Sequence, residues 1–528
     1  MIRSVRLATP SAPVSLAALA AASLVLVSAC SSGAGTGTQA KTEPGKAGGT
    51  AIVAMTSDPD TLMPWKATQF QAVNVLGNIY GTLTDYDKDL ATVPGLAEKW
   101  EPSADGKSLT LTLRKGVKFT DGSDFDATDV KFSLDAIRDE KTAAVARSAL
   151  ANVTDVAIVD PSTVKLTLSA PDAALPSGLA SVNMAMLPSE AATPATMTAL
   201  ETTPNGTGAF SFDSRTPSQS VTLKRNDAYW GDKALLDGLE FRVMPDENAI
   251  VTALKSGNVH LAAINDPLVA RTAEGGELTV TKTKQLSYHA LQLRATSTTN
   301  PALKDLNVRL AISCAIDRQQ VLDTAAYGEG EVTGPITAPE FTSDASARPC
   351  PKRDVAKSKD LLSKAGQSAL TIKTIVSQGE YATSVNEAQN LKSQLAEAGI
   401  TLDLEVLDIA AFVKRWVAGD FEAAVALNGG RPDPDTMYGR YFTSTGNLQK
   451  VAGYSSPELD TLFAEGKATS DEGKRKDIYA QVSKQLEDNA AWVWLFTGNS
   501  YTVASTKVAG FTPMVNGSFQ SLRTTTIQ

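Results

Sequence analysis

Two periodicities alternate along this chain, and that alternation constrains its fold more than any other feature. Leu109-Thr110-Leu111-Thr112-Leu113, Val164-Lys165-Leu166-Thr167-Leu168 and Leu239-Glu240-Phe241-Arg242-Val243 carry apolar side chains at every second position, the pattern of a strand with one buried face. Between them lie segments with helical spacing. Asp126-Ala127-Thr128-Asp129 is a capping-box-like start that puts Val130, Leu134 and Ile137 on one face. Ala388, Leu391, Leu395 and Ala398 share a second stripe that stops at Gly399, which suits a C′ position; a third runs through Ile478, Val482 and Leu486. No repeat, coiled coil or low-complexity tract follows residue 47. The pattern predicts an α/β fold with mixed sheets. At 528 residues the chain exceeds the roughly 250–300 that one core can serve, so two or three lobes are expected.

Charge and composition exclude several functions. There are 49 Lys and Arg against 58 Asp and Glu, a formal charge of -9, and the basic residues are not clustered. Nucleic-acid phosphates need grouped cations, so a nucleic-acid partner is excluded. A mean hydropathy of -0.10 excludes a polytopic membrane protein. Two histidines disfavour a His-rich metal site or a His-dependent relay.

The first residues read as an address. Arg3 and Arg6 precede an apolar run at 14–27, the length of a signal-peptide core and shorter than the roughly 20 residues of a membrane span. The run ends in Leu26-Val27-Ser28-Ala29-Cys30, and small residues before a Cys resemble the bacterial lipobox. Residues 1–29 are thus predicted to be a lipoprotein signal peptide and Cys30 the lipidated residue. Residues 30–47 form a flexible linker without large apolar side chains. Cleavage removes two cations and no acid, leaving 47 basic residues against 58 acids and a formal charge of -11. The expected location is the outer face of the cytoplasmic membrane, attached through lipid only. Cys314 and Cys350 remain, an even number in an oxidising compartment, either paired or as separate thiols.

Catalytic signatures are missing. There is no Gly-x-Ser-x-Gly elbow, no Gly-x4-Gly-Lys-Ser/Thr loop, no His-Glu-x-x-His helix and no Cys-x-x-Cys pair. His289 alternates with Leu291 and Leu293 and reads as a buried, hydrogen-bonded core residue. Asp433 and Asp435, in Arg431-Pro432-Asp433-Pro434-Asp435-Thr436, read as turn and N-cap residues. No enzyme activity, metal or cofactor is expected.

Four segments, in order, resemble the peptide/nickel-type solute-binding proteins of ABC importers. The first is Pro94-Gly95-Leu96-Ala97-Glu98-Lys99-Trp100 with LTLTLRKGVKFTDGSDFDATDVKFSL at 109–134. The second is Pro204-Asn205-Gly206-Thr207-Gly208-Ala209-Phe210 with LKRNDAYWGDK at 223–233. Leu306-Asn307-Val308-Arg309-Leu310-Ala311, ending in Asp317-Arg318, is the third, and Gly453-Tyr454-Ser455-Ser456-Pro457-Glu458-Leu459-Asp460 the fourth. Asp317-Arg318 itself reads as a local ion pair.

The resemblance implies a clamshell of the type II periplasmic-binding-protein kind. Lobe I would comprise 48–86, 171–288 and 489–528, with a small subdomain at 87–170; lobe II would be 289–488. Chain crossings near Tyr288 and Asn489 would form the hinge. The cleft would receive Lys66, Thr68, Gln69 and Phe70 from lobe I, and Gln378, Tyr381, Leu427, Asn428, Gly430 and Arg431 from lobe II. Peptide receptors of this family present a Trp and, three residues on, an Asp for the ligand's α-ammonium; the matching positions here are Leu427 and Gly430. The Arg that clamps a dipeptide carboxylate is replaced by Val385 and Asn386. A tightly held free dipeptide is therefore disfavoured. The expected function is capture of a peptide-like or other small organic ligand, with an oligosaccharide or a metal chelate as alternatives. The partners would be permease subunits and their ATPases, and the receptor would be a monomer. A secreted hydrolase and a chaperone or adhesin lipoprotein are the readings outside this class.

Overall fold

The alternating segment at 109–113 lies at the centre of a four-stranded antiparallel sheet. In the computed structural model, which describes residues 47–344, 346–378 and 383–528, the strand Ser108–Leu113 pairs with Ala97–Pro102 on one side and Thr163–Leu168 on the other. Val153–Asp160 completes the sheet. Leu109, Leu111, Leu113, Val164 and Leu166 turn inward and meet Val130, Leu134 and Ile137 of the helix Ala127–Arg138. That helix starts with a full capping box: Asp126 accepts from the Thr128 N–H, and Asp129 accepts from the Asp126 N–H.

The remaining strands form one large mixed sheet in two halves. Phe210–Thr216, Ser220–Arg225, Gly238–Val243, Thr50–Met55 and Leu261–Ile264 are neighbours in the first half. Tyr288–Leu293, Ala423–Asn428, Leu370–Gln378 and Ile400–Asp408 are neighbours in the second. A single long strand, Trp492–Ser505, belongs to both. Its residues 492–496 pair with Tyr288–Leu293, and its residues 499–505 pair with Leu278–Lys284 and Leu261–Ile264. Each half is covered on both faces. In the second, Leu291, Val425 and Val493 enter one core, while Ala290, Ala424 and Trp494 enter the core on the opposite face. The molecule is thus a two-lobed α/β clamshell with a small extra sheet.

The chain passes between the halves at residues 285–287 and 497–499. The two crossings are tied together: the Gln285 N–H donates to the Gly498 carbonyl (3.0 Å), and the Thr497 hydroxyl lies 2.6 Å from the Gln285 carbonyl and 2.8 Å from that of Ser287. The second crossing falls beyond Asn489. Residues 492–496 are fully buried in the second half, and the strand continues into the first through the polar, glycine-bearing stretch Thr497-Gly498-Asn499-Ser500.

Cys314, at the end of the helix Leu306–Cys314, is bonded to Cys350, with Cα atoms 5.0 Å apart. Asp317 and Arg318 do not form a local pair. Asp317 caps the helix Arg318–Ala325 by accepting from the Gln320 N–H. Arg318 instead runs into the core, donating to the Trp494 carbonyl (2.8 Å) and the Ser313 hydroxyl (2.8 Å).

Candidate functional site

Strand direction aims both lobes at the crossings. Leu370–Gln378 runs parallel to Ala423–Asn428, whose last residue, Asn428, stands opposite Tyr288, immediately after the first crossing. In the other lobe Thr50–Met55 runs parallel to Leu261–Ile264, whose last residue, Ile264, stands opposite Tyr501, just past the second. The carboxyl ends of parallel strands, where α/β proteins collect ligands, therefore face one another across the hinge.

A cavity of about 560 Å³ lies between the lobes, within the size range of small-molecule sites. Trp100, Asp172, Pro176 and Ser177 line it from the first lobe; Phe341, Pro432, Asp433, Lys467 and Arg475 line it from the second. The lobes touch beside it, where the Ala173 N–H donates to the Lys467 carbonyl (2.9 Å). Asp433 makes the expected turn contact, accepting from the Asp435 N–H. The two acids do more than the sequence implied, since Asp433 also pairs with Arg475 at 2.7 Å and Asp435 with Lys467 at 3.1 Å. Burial pushes the Asp435 carboxyl up to about 6, opposed by Lys467 and reinforced by Asp433 and Asp172. Asp172 is raised too, again chiefly by burial.

The residues expected at the cleft divide into two groups. Lys66 pairs with Glu201 (3.0 Å), Thr68 donates to Asp60 (2.7 Å), and Gln69 accepts from Ser57 (3.4 Å); these partners all lie in the first lobe. Phe70, first in the helix Phe70–Ile79, is 71% exposed. Gln378 ends its strand exposed, and Tyr381 lies outside the described residues, as does Cys30. None of the nine described ones lines the cavity. Leu427, Asn428, Gly430 and Arg431 do come together at the strand end beside the first crossing. Asn428 is buried, and its Nδ2 has no hydrogen-bond partner; the Ser377 hydroxyl is in the same condition on the neighbouring strand. Gly430 is pressed against the hinge, and Gly429 beside it faces open space.

Arg431 combines an exposed side chain with a dense protein surround. Desolvation lowers its guanidinium to about 10, with repulsion from Arg440 next in size and the hydroxyls of Tyr441 and Tyr86 opposing. A charge exposed by area yet poorly solvated is what a narrow interlobe space produces. Arg440 follows a π-helical turn, Asp435–Gly439, and its guanidinium lies 4.8 Å from the centre of the Tyr441 ring. Sequence reasoning missed Arg440, Tyr441 and Tyr86. Their meeting depends on that wide turn and on a contact between lobes, neither of which leaves a spacing signal. His289 is buried as expected, with Nδ1 2.9 Å from the Glu387 carboxylate and its ring stacked on Phe496. Among the described residues no group of acids, histidines and cysteines could hold a metal, and no helix is long and apolar enough to cross a membrane.

Two lobes joined by two crossings around an interlobe cavity define a solute-binding protein. The model of the bacterial extracellular solute-binding proteins, family 5 Middle, matches residues 91–449, and the chain belongs to that family of ABC-importer receptors. The glutathione-binding protein GsiB of Salmonella paratyphi A is 26% identical over 497 residues, 89% of this chain and 93% of that protein. A probable di/tripeptide-binding protein 5 of Pseudomonas aeruginosa is 28% identical over 457 residues, 81% of this chain and 86% of that one. Among solved structures, AgaA from A. tumefaciens R10 in complex with agropinic acid is 28% identical, covers 91% of this chain and 99% of its own, and gives a TM-score of 0.77. CtaP of Listeria monocytogenes, at 24% identity and a TM-score of 0.81 over 91% of this chain and 100% of that one, shares the fold. These relatives are binding proteins, and this chain is a binding protein rather than an enzyme.

Proposed function

We propose that this receptor is held at the outer face of the cytoplasmic membrane by lipid on Cys30, captures a small peptide-like or other organic solute between its lobes, and delivers it to an ABC permease. The observation that carries this reading is the cavity of about 560 Å³ between two lobes that are joined by two chain crossings. Residues 285–287 and 497–499 are the hinge, the segments before and after them forming lobe I and those between forming lobe II. The small subdomain at 87–170 rides on lobe I and supplies part of the cavity wall. Closure discriminates solutes because a ligand stabilises the closed arrangement only by binding it better than the open one. The receptor acts as a monomer.

The named ligands of its relatives, glutathione, di- and tripeptides and agropinic acid, are small polar organic molecules and support that solute class. Free dipeptides fit poorly, because no acid occupies position 430 to meet an α-ammonium group. A thermal-shift screen of the full-length protein with dipeptides, tri- to hexapeptides, amino-acid conjugates, oligosaccharides and chelated metals tests the reading. A peptide or small organic pool should raise the melting temperature, since it binds only the folded state. No shift from any pool would refute it.

A further inference from the structure

We propose that the solute carries a carboxylate, and that Arg431 and Arg440 grip it from the second lobe; this rests on the cleft-binding reading above. Among the described residues neither one has a carboxylate within ion-pair distance, and neither guanidinium has a hydrogen-bond acceptor. The Nε of Arg440 is shut off from solvent with no partner. The two acids nearest in sequence are already engaged, Asp433 by Arg475 and Asp435 by Lys467. Other enclosed arginines keep an acceptor: even Arg348, whose Nε and Nη1 are unpartnered, has the Glu487 carboxylate at 3.3 Å and the Thr333 carbonyl at 2.7 Å. Arg309 donates to three backbone carbonyls, and Arg318 donates to a carbonyl and a hydroxyl.

The pair is also placed for a ligand. Gly430 is fixed against Leu286 at the first crossing, and Arg431 beside it precedes Pro432, which lines the interlobe cavity. Tyr86 of the first lobe lies close enough to feel the Arg431 charge, and its hydroxyl bonds to Ser177, which lines the cavity. The guanidinium of Arg440 lies over the Tyr441 ring, and both cations act on the Tyr441 hydroxyl. Two like charges held together in a poorly solvated space, without a counter-ion, repel each other. One planar carboxylate relieves that repulsion and supplies acceptors for two donor forks. The free Nδ2 of Asn428, at the same strand end, is a donor for an amide or hydroxyl oxygen elsewhere on the solute. With no acid at position 430, the class that fits is a small organic acid whose amine is acylated or absent.

The test compares two pools on the full-length protein: N-acetyl dipeptides with a free C-terminal carboxylate, and the same dipeptides as C-terminal amides. The acid pool should raise the melting temperature and the amide pool should not. Arg431→Gln and Arg440→Gln should each weaken binding of the acid pool by about tenfold or more. Without ligand, each variant should melt no lower than the parent, because the substitution removes a repulsion; a merely structural arginine would lower it. Equal stabilisation by acids and amides, or acid binding that survives both substitutions, would overturn the proposal and leave capture in the cleft standing. So would a response to oligosaccharides alone. Silence from every pool would overturn both.

Discussion

A methyl group on Gly430 would stand 2.0 Å from the carbonyl oxygen of Leu286. The second lobe therefore meets the hinge backbone-to-backbone at this point, and any side chain would push them apart. Gly430→Ala should destabilise the protein by about 1–3 kcal/mol, the usual range for overpacking, and should weaken solute binding beyond what the loss of stability explains. Thermal melts with and without the acid pool check both effects. An alanine variant with unchanged melting would show that the crossing yields easily.

Glu329 should make the hinge region sensitive to acid. Its carboxylate lies 3.0 Å from both Arg271 and Lys282 and 2.9 Å from the Tyr501 hydroxyl. Burial works against ionisation, but the bonds from Lys282, Arg271 and Tyr501 prevail and hold the group at about 2. A lowered carboxyl stabilises the fold fully above its ordinary value near 4.5, and that contribution fades as pH falls toward 2. Glu329→Gln should lower stability at neutral pH by about 2 kcal/mol, and the gap from the parent should close below pH 4. Melting curves between pH 2 and 7 measure it.

Asp435 should behave in the opposite sense. Its raised carboxyl, near 6, penalises the ionised form in the folded state, so its contribution is most favourable below about pH 4 and is lost as pH rises through 6. Asp435→Asn should flatten that part of the stability profile, and the variant should gain on the parent between pH 4 and 6. A variant that loses ground across the same interval would show that the Lys467 pair dominates.

The Cys314–Cys350 bond closes a loop with a sequence separation of 36. In the chain-entropy view such a closure is worth about 4 kcal/mol. Replacing both cysteines with alanine should lower the denaturant midpoint accordingly. Reductant should shift the parent but not the variant.

Cys30→Ser should release the receptor from membranes into the soluble fraction. Membrane association that survives the substitution would refute lipid attachment at this position.

Much of the scaffold was legible because it rests on local rules. Alternation marked the strands at 109–113, 164–168 and 239–243, and Asp126 with Asp129 marked a helix start that forms with both capping bonds. The second crossing was placed too early. The polar stretch Thr497-Gly498-Asn499-Ser500 interrupts the apolar run of Trp492–Ser505, but the segment stays one strand, and periodicity is silent about which sheet each end joins. Arg318 was misread for a related reason, since its partner, the Trp494 carbonyl, is distant in sequence and belongs to a backbone that every residue shares. At the candidate site the family pattern pointed to the segment from Leu427 to Arg431, which the fold places at a strand end beside the first crossing. The cavity wall from the small subdomain, and the meeting of Arg431 with Arg440, arise from tertiary geometry alone.

The disulfide also ties maturation of this receptor to its journey. Both sulfurs lie in the second lobe, so the hinge and the first lobe carry no cross-link. In a reducing cytosol the newly made chain would lack this staple, leaving that lobe easier to thread through an export channel. On the proposed route to the outer face of the membrane, oxidation would make the same lobe harder to unravel and act as a one-way catch on secretion.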